Sequence, residues 1–222
     1  MKILDVPQTG KLGLTVTYPG RNGLIRRMKV SPRNPHSSAQ TVQRSIFKQC
    51  AQAYKALTDV QQNAWIAAAA RHRTSPTLGQ SGPLTGLQLY VKLNAAMQTI
   101  GGNSMTTPPA APAAQATHVS GLTITNTSGT IALNLDTTDS PPDGTMLWAC
   151  APQNSGVRRL VSPRFLGTLT SPTNNKINIT TLYADKFGAP KVGDRVYVEV
   201  CTNSNGWEGV REVFSARVPS AT

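Results

Sequence analysis

GGNSMTTPPAAPAAQAT, residues 101–117, holds no charge, no aromatic ring and one large apolar side chain, Met105. Two glycines open it and Pro108, Pro109 and Pro112 follow. That composition predicts an extended, proline-stiffened spacer of about 3 Å per residue that holds two modules apart. A chain of 222 residues is long enough for two modest domains, and the stretch sets their limits: 1–100, a linker over 101–117, and 118–222.

The charge divides at the same place. Residues 1–100 carry thirteen Lys and Arg against Asp5 and Asp59, a net +11, whereas residues 101–222 hold nine basic and eight acidic groups, a net +1. A field so concentrated steers an anionic partner and makes the segment repel itself. Nucleic acid, an acidic protein surface and anionic lipid all carry the required sign. Only 14% of residues are charged, against about 25% in an ordinary soluble domain, and Thr, Ser, Asn, Gly and Pro abound, which suits a β-rich particle or extracellular protein better than a cytosolic enzyme.

Upstream of the spacer the pattern predicts a β-hairpin and three helices. LGLTVTY alternates, with Leu12, Leu14, Val16 and Tyr18 expected on one face; PGRNG supplies turn signals, and LIRRMKV returns. On that return Ile25, Arg27 and Lys29 would share one face and Leu24, Arg26, Met28 and Val30 the other. The prolines of SPRNP end the strand, and Ser37 or Ser38 caps a helix running to about Leu57, with Val42, Ile46, Cys50, Ala53 and Leu57 as its apolar stripe. Phe47 and Tyr54 either widen that stripe or offer an aromatic edge. Thr58-Asp-Val-Gln61 has the form of a capping box and starts a second helix, whose end Arg71, His72 and Arg73 suit electrostatically. Residues 74–86 read as a loop and about 87–100 as a third helix, ended by Gly101-Gly102. Leu14, Val16, Ile46, Trp65 and Met97 are the expected core of this half.

Beyond the spacer, LTITNT, TIALNL, TMLWAC, VRRLVSPRFL, KINIT, DRVYVEV and WEGVREVFSARV are strand-like runs separated by turn signals. Seven strands in about 100 residues predict an immunoglobulin- or fibronectin-like sandwich, with Val196, Val198 and Val200 facing inward and Trp148 filling the interior. LYADKFG, 182–188, predicts one helical turn. The fold class is therefore α+β: an N-terminal hairpin with a three-helix module, then an all-β sandwich.

Catalytic chemistry finds little footing. His36, His72 and His118 have no carboxylate or thiol at ligand spacing, no glycine-rich phosphate loop is present, and Asp136, Asp139 and Asp143 fall in or beside a Pro-Gly turn. The expectation is a non-enzyme with no cofactor and no metal. Cys50, Cys150 and Cys201 form no CxxC pair and are expected as three free thiols, the last two on different strand faces. No run of about 18 apolar residues is available to cross a bilayer, so no membrane partner is expected. The opening MKILDVPQTGKLG lacks the apolar core of a secretory signal, which points to synthesis in a cytoplasm.

Two resemblances follow from particular residues. AYKALTDVQQNAWIAAA, 53–69, resembles the junction of the last two helices of an HMG box, which implies a nucleic-acid-binding protein as the alternative reading. GRNGLIRRMKVSPRNPHSSAQTVQRSIF with YKALTDVQQNAW resembles a module of uncharacterised bacteriophage and prophage proteins, through Asn34, Pro35, Gln40, Arg44, Leu57, Thr58, Gln61 and Trp65. The latter implies a structural component of a virion (capsid-associated, decoration or tail-type), made in the host cytoplasm. It would act through contacts with other virion proteins and with copies of itself. Arg21, Arg26, Arg27, Lys29, Arg33 and Arg44 are the residues expected to anchor an anionic partner.

Overall fold

The structure, a computed structural model, describes residues 9–20, 23–31, 34–74, 81–113 and 115–221. It is a mixed helix and sheet protein of the expected α+β class. In chain order come β1 (Gly10–Leu12), β2 (Thr15–Gly20), β3 (Gly23–Met28), α1 (Ser38–Lys55), α2 (Asp59–Ala69) and α3 (Gly86–Thr99). After residues 101–117 follow β4 (Val119–Thr127), β5 (Thr130–Thr137), β6 (Met146–Ala149), β7 (Arg164–Thr168), β8 (Lys176–Asn178), α4 (Thr180–Phe187), β9 (Arg195–Cys201), β10 (Asn203–Ser204), β11 (Trp207–Glu208) and β12 (Glu212–Arg217).

Local chemistry sets the helix starts. Ser37 caps α1 by accepting from Gln40 N–H, and Thr58 and Gln61 form the reciprocal capping box of α2. Thr85 and Gln88 build a second box at the start of α3, inside the stretch expected to be loop. Gly101, with φ +77, ends that helix. The three helices meet around Cys50, Trp65, Ala69, Leu89, Tyr90 and Leu93, with the Trp65 and Tyr90 rings edge to face at 5.1 Å. Arg71, His72 and Arg73 lie past the last turn of α2 instead of within it.

The C-terminal half has two antiparallel sheets, β4-β5-β8 and β12-β9-β6-β7, and both contribute to one core. Leu133 and Leu135 face Leu147, Val196, Val198 and Val200 across it. The aromatic filler is Tyr183 of α4, fully buried, its hydroxyl donating to Cys150 O at 2.9 Å. Trp148, expected in that role, lies on the opposite face of β6. The register slips between Leu147 and Trp148, which sets Trp148 opposite Phe165, edge to face at 5.7 Å, with the Arg211 guanidinium 4.8 Å from its ring centre. The two later cysteines share a face, contrary to expectation: Met146 pairs with Cys201 and Trp148 with Glu199. Cys150 lies beside Tyr197, four residues along β9 from Cys201, too far for a bridge, and all three thiols are free and buried.

Residues 101–117 do not hold the two halves apart. Asn94, wholly buried in α3, donates to Tyr90 O and Met105 O and accepts from Met105 N–H at 2.6 Å, while Trp65 Nε1 donates to Thr106 O at 2.9 Å. A buried amide is tolerated only when so satisfied, and the polar chain leaving α3 satisfies it. The β10–β11 hairpin completes the docking. Its Asn205-Gly206 turn has positive φ at both residues, the I′ pattern, and Gly206 sits directly on the α3 backbone at Leu93. Trp207 then packs against the helical cluster, 4.7 Å from the His72 ring and 5.6 Å beneath Lys92 Nζ. The proline-containing second half of the segment, from Thr107 on, is mostly exposed.

Three outcomes test this arrangement. A Cβ at Gly206 would lie 2.7 Å from Leu93 Cα, and φ is +82, so Gly206→Ala is expected to cost about 2–4 kcal/mol in urea unfolding. Burial also pushes the Cys50 and Cys201 thiols above their ordinary value of 9.0. A raised folded-state value means that above pH 9 the unfolded chain ionises while the folded chain stays protonated. Stability should therefore fall as pH climbs past about 9, and Ellman titration at neutral pH should count no thiols before denaturation and three after it.

Candidate interaction surface

The first three strands form a sheet of their own, order β1-β2-β3, whose extensive contacts among the described elements are internal. LGLTVTY is not one strand. Gly13, with φ +55, reverses the chain between Leu12 and Thr15, and Thr15 Oγ1 closes the turn by donating to Leu12 O at 2.9 Å. Leu12 therefore pairs with Thr15 and falls on the face opposite Val16 and Tyr18. Leu14, expected in the core, is 74% exposed at the turn.

Directly paired residues share a face, so the register assigns both. One face carries Lys11, Val16, Tyr18, Ile25 and Arg27; the other carries Leu12, Thr15, Thr17, Leu24, Arg26 and Met28. The alternation expected for β3 holds. Arg27 lies 5.4 Å from the Tyr18 ring centre, a cation–π contact of about 0.5–1 kcal/mol at an exposed site. Lys29 follows the strand, its N–H bonded to Leu14 O at 2.6 Å. Every residue of β3 is exposed, and with it Leu12, Leu14, Tyr18 and Val30.

Exposure continues into α1. Its stripe packs from Ile46 onward, through Cys50, Ala53 and Leu57, but Val42 lies outside that cluster and is 55% exposed. Arg44, Phe47 and Lys48 sit at i, i+3 and i+4 on one open side, and Phe47 is 60% exposed. Tyr54 packs edge to face on Tyr90 at 5.3 Å instead.

Of the six expected anchors, Arg27 lies on one face of the arm, Arg26 on the other, Lys29 just beyond β3 and Arg44 on α1. Arg21 and Arg33 lie outside the described residues. The four described anchors are exposed on β3, just after it and on α1, and do not converge on one pocket. Lys11 joins them and was missed, as were the exposed leucines, whose alternation reads as a buried face. Among the expected core, Trp65 is fully buried, while Val16, Ile46 and Met97 are half-buried.

Six of the eight acidic groups of the C-terminal half, Asp136, Asp139, Asp194, Glu199, Glu208 and Glu212, have partners within the fold. Glu199, nearly buried, accepts from Arg211 Nη1 at 2.7 Å, and Glu208 from Arg211 Nη2 at 2.9 Å. The Glu208 hydrogen bond pushes the Arg211 guanidinium up from its ordinary value. Thr117 donates to Glu212, Thr123 to Asp136 and Lys191 N–H to Asp194. Asp139 accepts from the next backbone N–H, as a turn former does. Among the described residues no three His, Cys, Asp or Glu side chains come together as a metal site, and no helix is long and apolar enough to cross a membrane.

Strands with so little packing open readily. Brief trypsin treatment should cut first at Arg26, Arg27 or Lys29 and leave a product beginning near Val30 whose melting temperature matches that of the intact chain.

No protein family, no curated protein and no solved structure matches the chain.

Proposed function

We propose that this chain is a structural component of a bacteriophage particle, anchored through its basic N-terminal arm on an acidic protein surface. The phage setting rests on the resemblance carried by Asn34, Pro35, Gln40, Arg44, Leu57, Thr58, Gln61 and Trp65. The C-terminal half is read as an immunoglobulin-like sandwich, a reading supported by sheets of four and three antiparallel strands on one core. Repetition of copies around a particle would let a modest anchor suffice.

One observation carries the proposal: the arm exposes Leu12, Leu14, Leu24, Ile25, Met28 and Val30 among its cations, on both faces. A small sheet that leaves apolar side chains in water on both sides is marginal alone and gains stability when a partner covers it. A phosphate backbone would use the cations and leave the leucines wet. An apolar protein surface rimmed by carboxylates would use both.

The nucleic-acid reading keeps one supporting fact, the absence of any acidic residue between Asp5 and Asp59. Salt separates the two. DNA binding that neutralises phosphates loses about 0.9 log unit of affinity per log unit of salt for each phosphate. Mass spectrometry of particles purified from the source of this sequence is expected to find the chain in many copies. Arg27→Glu/Lys29→Glu/Arg44→Glu should lower its incorporation about tenfold or more, equivalent to about 1.4 kcal/mol. Absence from particles, with tight and steeply salt-dependent binding to duplex DNA, overturns the proposal in favour of the alternative.

A further inference from the structure

A second surface lies on the helices and shares Arg44 with the basic segment. Between α1 and α3 runs a groove of about 340 Å³ lined by Phe47, Leu87, Gln88, Val91 and Lys92. Phe47 and Leu87 both stand exposed at it. Neither helix contains an acidic residue, and Arg44 and Lys48 flank Phe47 along α1. Lys92, on the rim, holds its ammonium 5.6 Å over the Trp207 ring, which restrains it instead of leaving it to sweep solvent.

The lining excludes most occupants. A small metabolite needs several convergent polar groups, and only Gln88 and Lys92 are polar here. Nucleic acid needs donors where Phe47, Leu87 and Val91 offer carbon. A second copy brings a net charge of +12, and six of its ten acidic residues, Asp136, Asp139, Asp194, Glu199, Glu208 and Glu212, already accept hydrogen bonds within their own fold. What remains is an apolar seam between two helices with cations at its borders and no anion, the complement of an amphipathic acidic helix.

We propose that this groove docks a helical protein segment that places an apolar side chain between Phe47 and Leu87 and sets carboxylates beside Arg44, Lys48 and Lys92. Phe47 and Leu87 give depth, and the three cations fix orientation and exclude basic competitors. The inference holds whether or not the arm anchors the chain on a particle.

The test uses the full chain and a fluorescein-labelled amphipathic peptide of Leu, Ala and Glu, about four helical turns long, read by anisotropy at about 0.15 M salt. Saturable binding is expected, weakened about tenfold by Phe47→Asp and by Leu87→Asp and about fivefold by Lys92→Glu. Arg26→Glu/Arg27→Glu/Lys29→Glu should leave it within about twofold, because none of the three lines the groove and charges outside a contact alter encounter more than residence. Circular dichroism melts check that each variant folds; should an aspartate variant melt early, Phe47→Ala and Leu87→Ser replace it. Three results overturn the proposal. A peptide with every Leu changed to Ser binds as well, so that charge alone suffices. Binding falls with the arm variant and not with the groove variants. Sedimentation shows self-association that Phe47→Asp abolishes, which assigns the groove to a second copy.

Discussion

One buried amide, Asn94, decides how the two halves of this protein meet. It sits in the middle of α3, has no access to water, and has both of its polar ends bonded to Met105, with a further bond to Tyr90 O. An unpaired amide in that position would cost several times what one ordinary hydrogen bond contributes, so the chain leaving α3 is forced back across the helix. Trp65 fixes the next residue through Thr106. α3 then serves as a hub: α1 and α2 pack on it, the exit segment folds over it, and the β10–β11 hairpin rests on Leu93 and bonds Ala96 O through Asn203. Only a glycine at 206 lets two backbones approach so closely.

Against that secured body, the arm and the first half of α1 have no interior of their own. Apolar burial is the main favourable contribution to folding, and here Leu12, Leu14, Leu24, Met28, Val30 and Val42 forgo it. Like charge opposes the self-association that so apolar a surface favours, since no acidic residue lies between Asp5 and Asp59. Apolar exposure and positive charge thus do complementary things. Exposed carbon favours association, and like charge opposes it between identical chains.

How much of this was legible follows from the range of each interaction. The Thr58–Gln61 box is local and reads directly from sequence; the Thr85–Gln88 box has the same form but begins inside a Gly, Ser and Pro-rich run that reads as loop. Asn205-Gly206 has the local form of a turn, whereas its seat on Leu93, more than a hundred residues away, has no local signal. Periodicity names the residues that share a face without saying whether anything covers it. That is why Leu14 and Val42 were expected in a core and lie in water, while Trp65 was expected there and is buried. In the C-terminal half the valines of β9 face inward as their alternation predicts, but the slip at Leu147 and Trp148 and the insertion of α4 gave the central aromatic position to Tyr183. The proline content of residues 101–117 reads as a spacer between a helical and a strand-rich stretch. It says nothing of Asn94, whose demand for partners overrides any tendency of Met105 and Thr106 to stand off.

Lys92 belongs both to the α1–α3 groove and, through Trp207, to the contact between the halves, so the two could in principle communicate. Magnitudes argue against it. The cation–π contact at such an exposed site amounts to about 0.5–1 kcal/mol. The hairpin is also held by the Gly206 approach, by Asn203 bonded to Ala96 O and to Gly206 N–H, and by Trp207 packed on the helical cluster. A ligand can shift a conformational equilibrium only by its differential affinity for the two states. An occupant that drew Lys92 away would remove the weakest of these contacts and leave the others, so the hairpin would stay seated. The α3 hub therefore transmits position, not state: whatever binds at the groove or the arm meets a C-terminal half already held against α3.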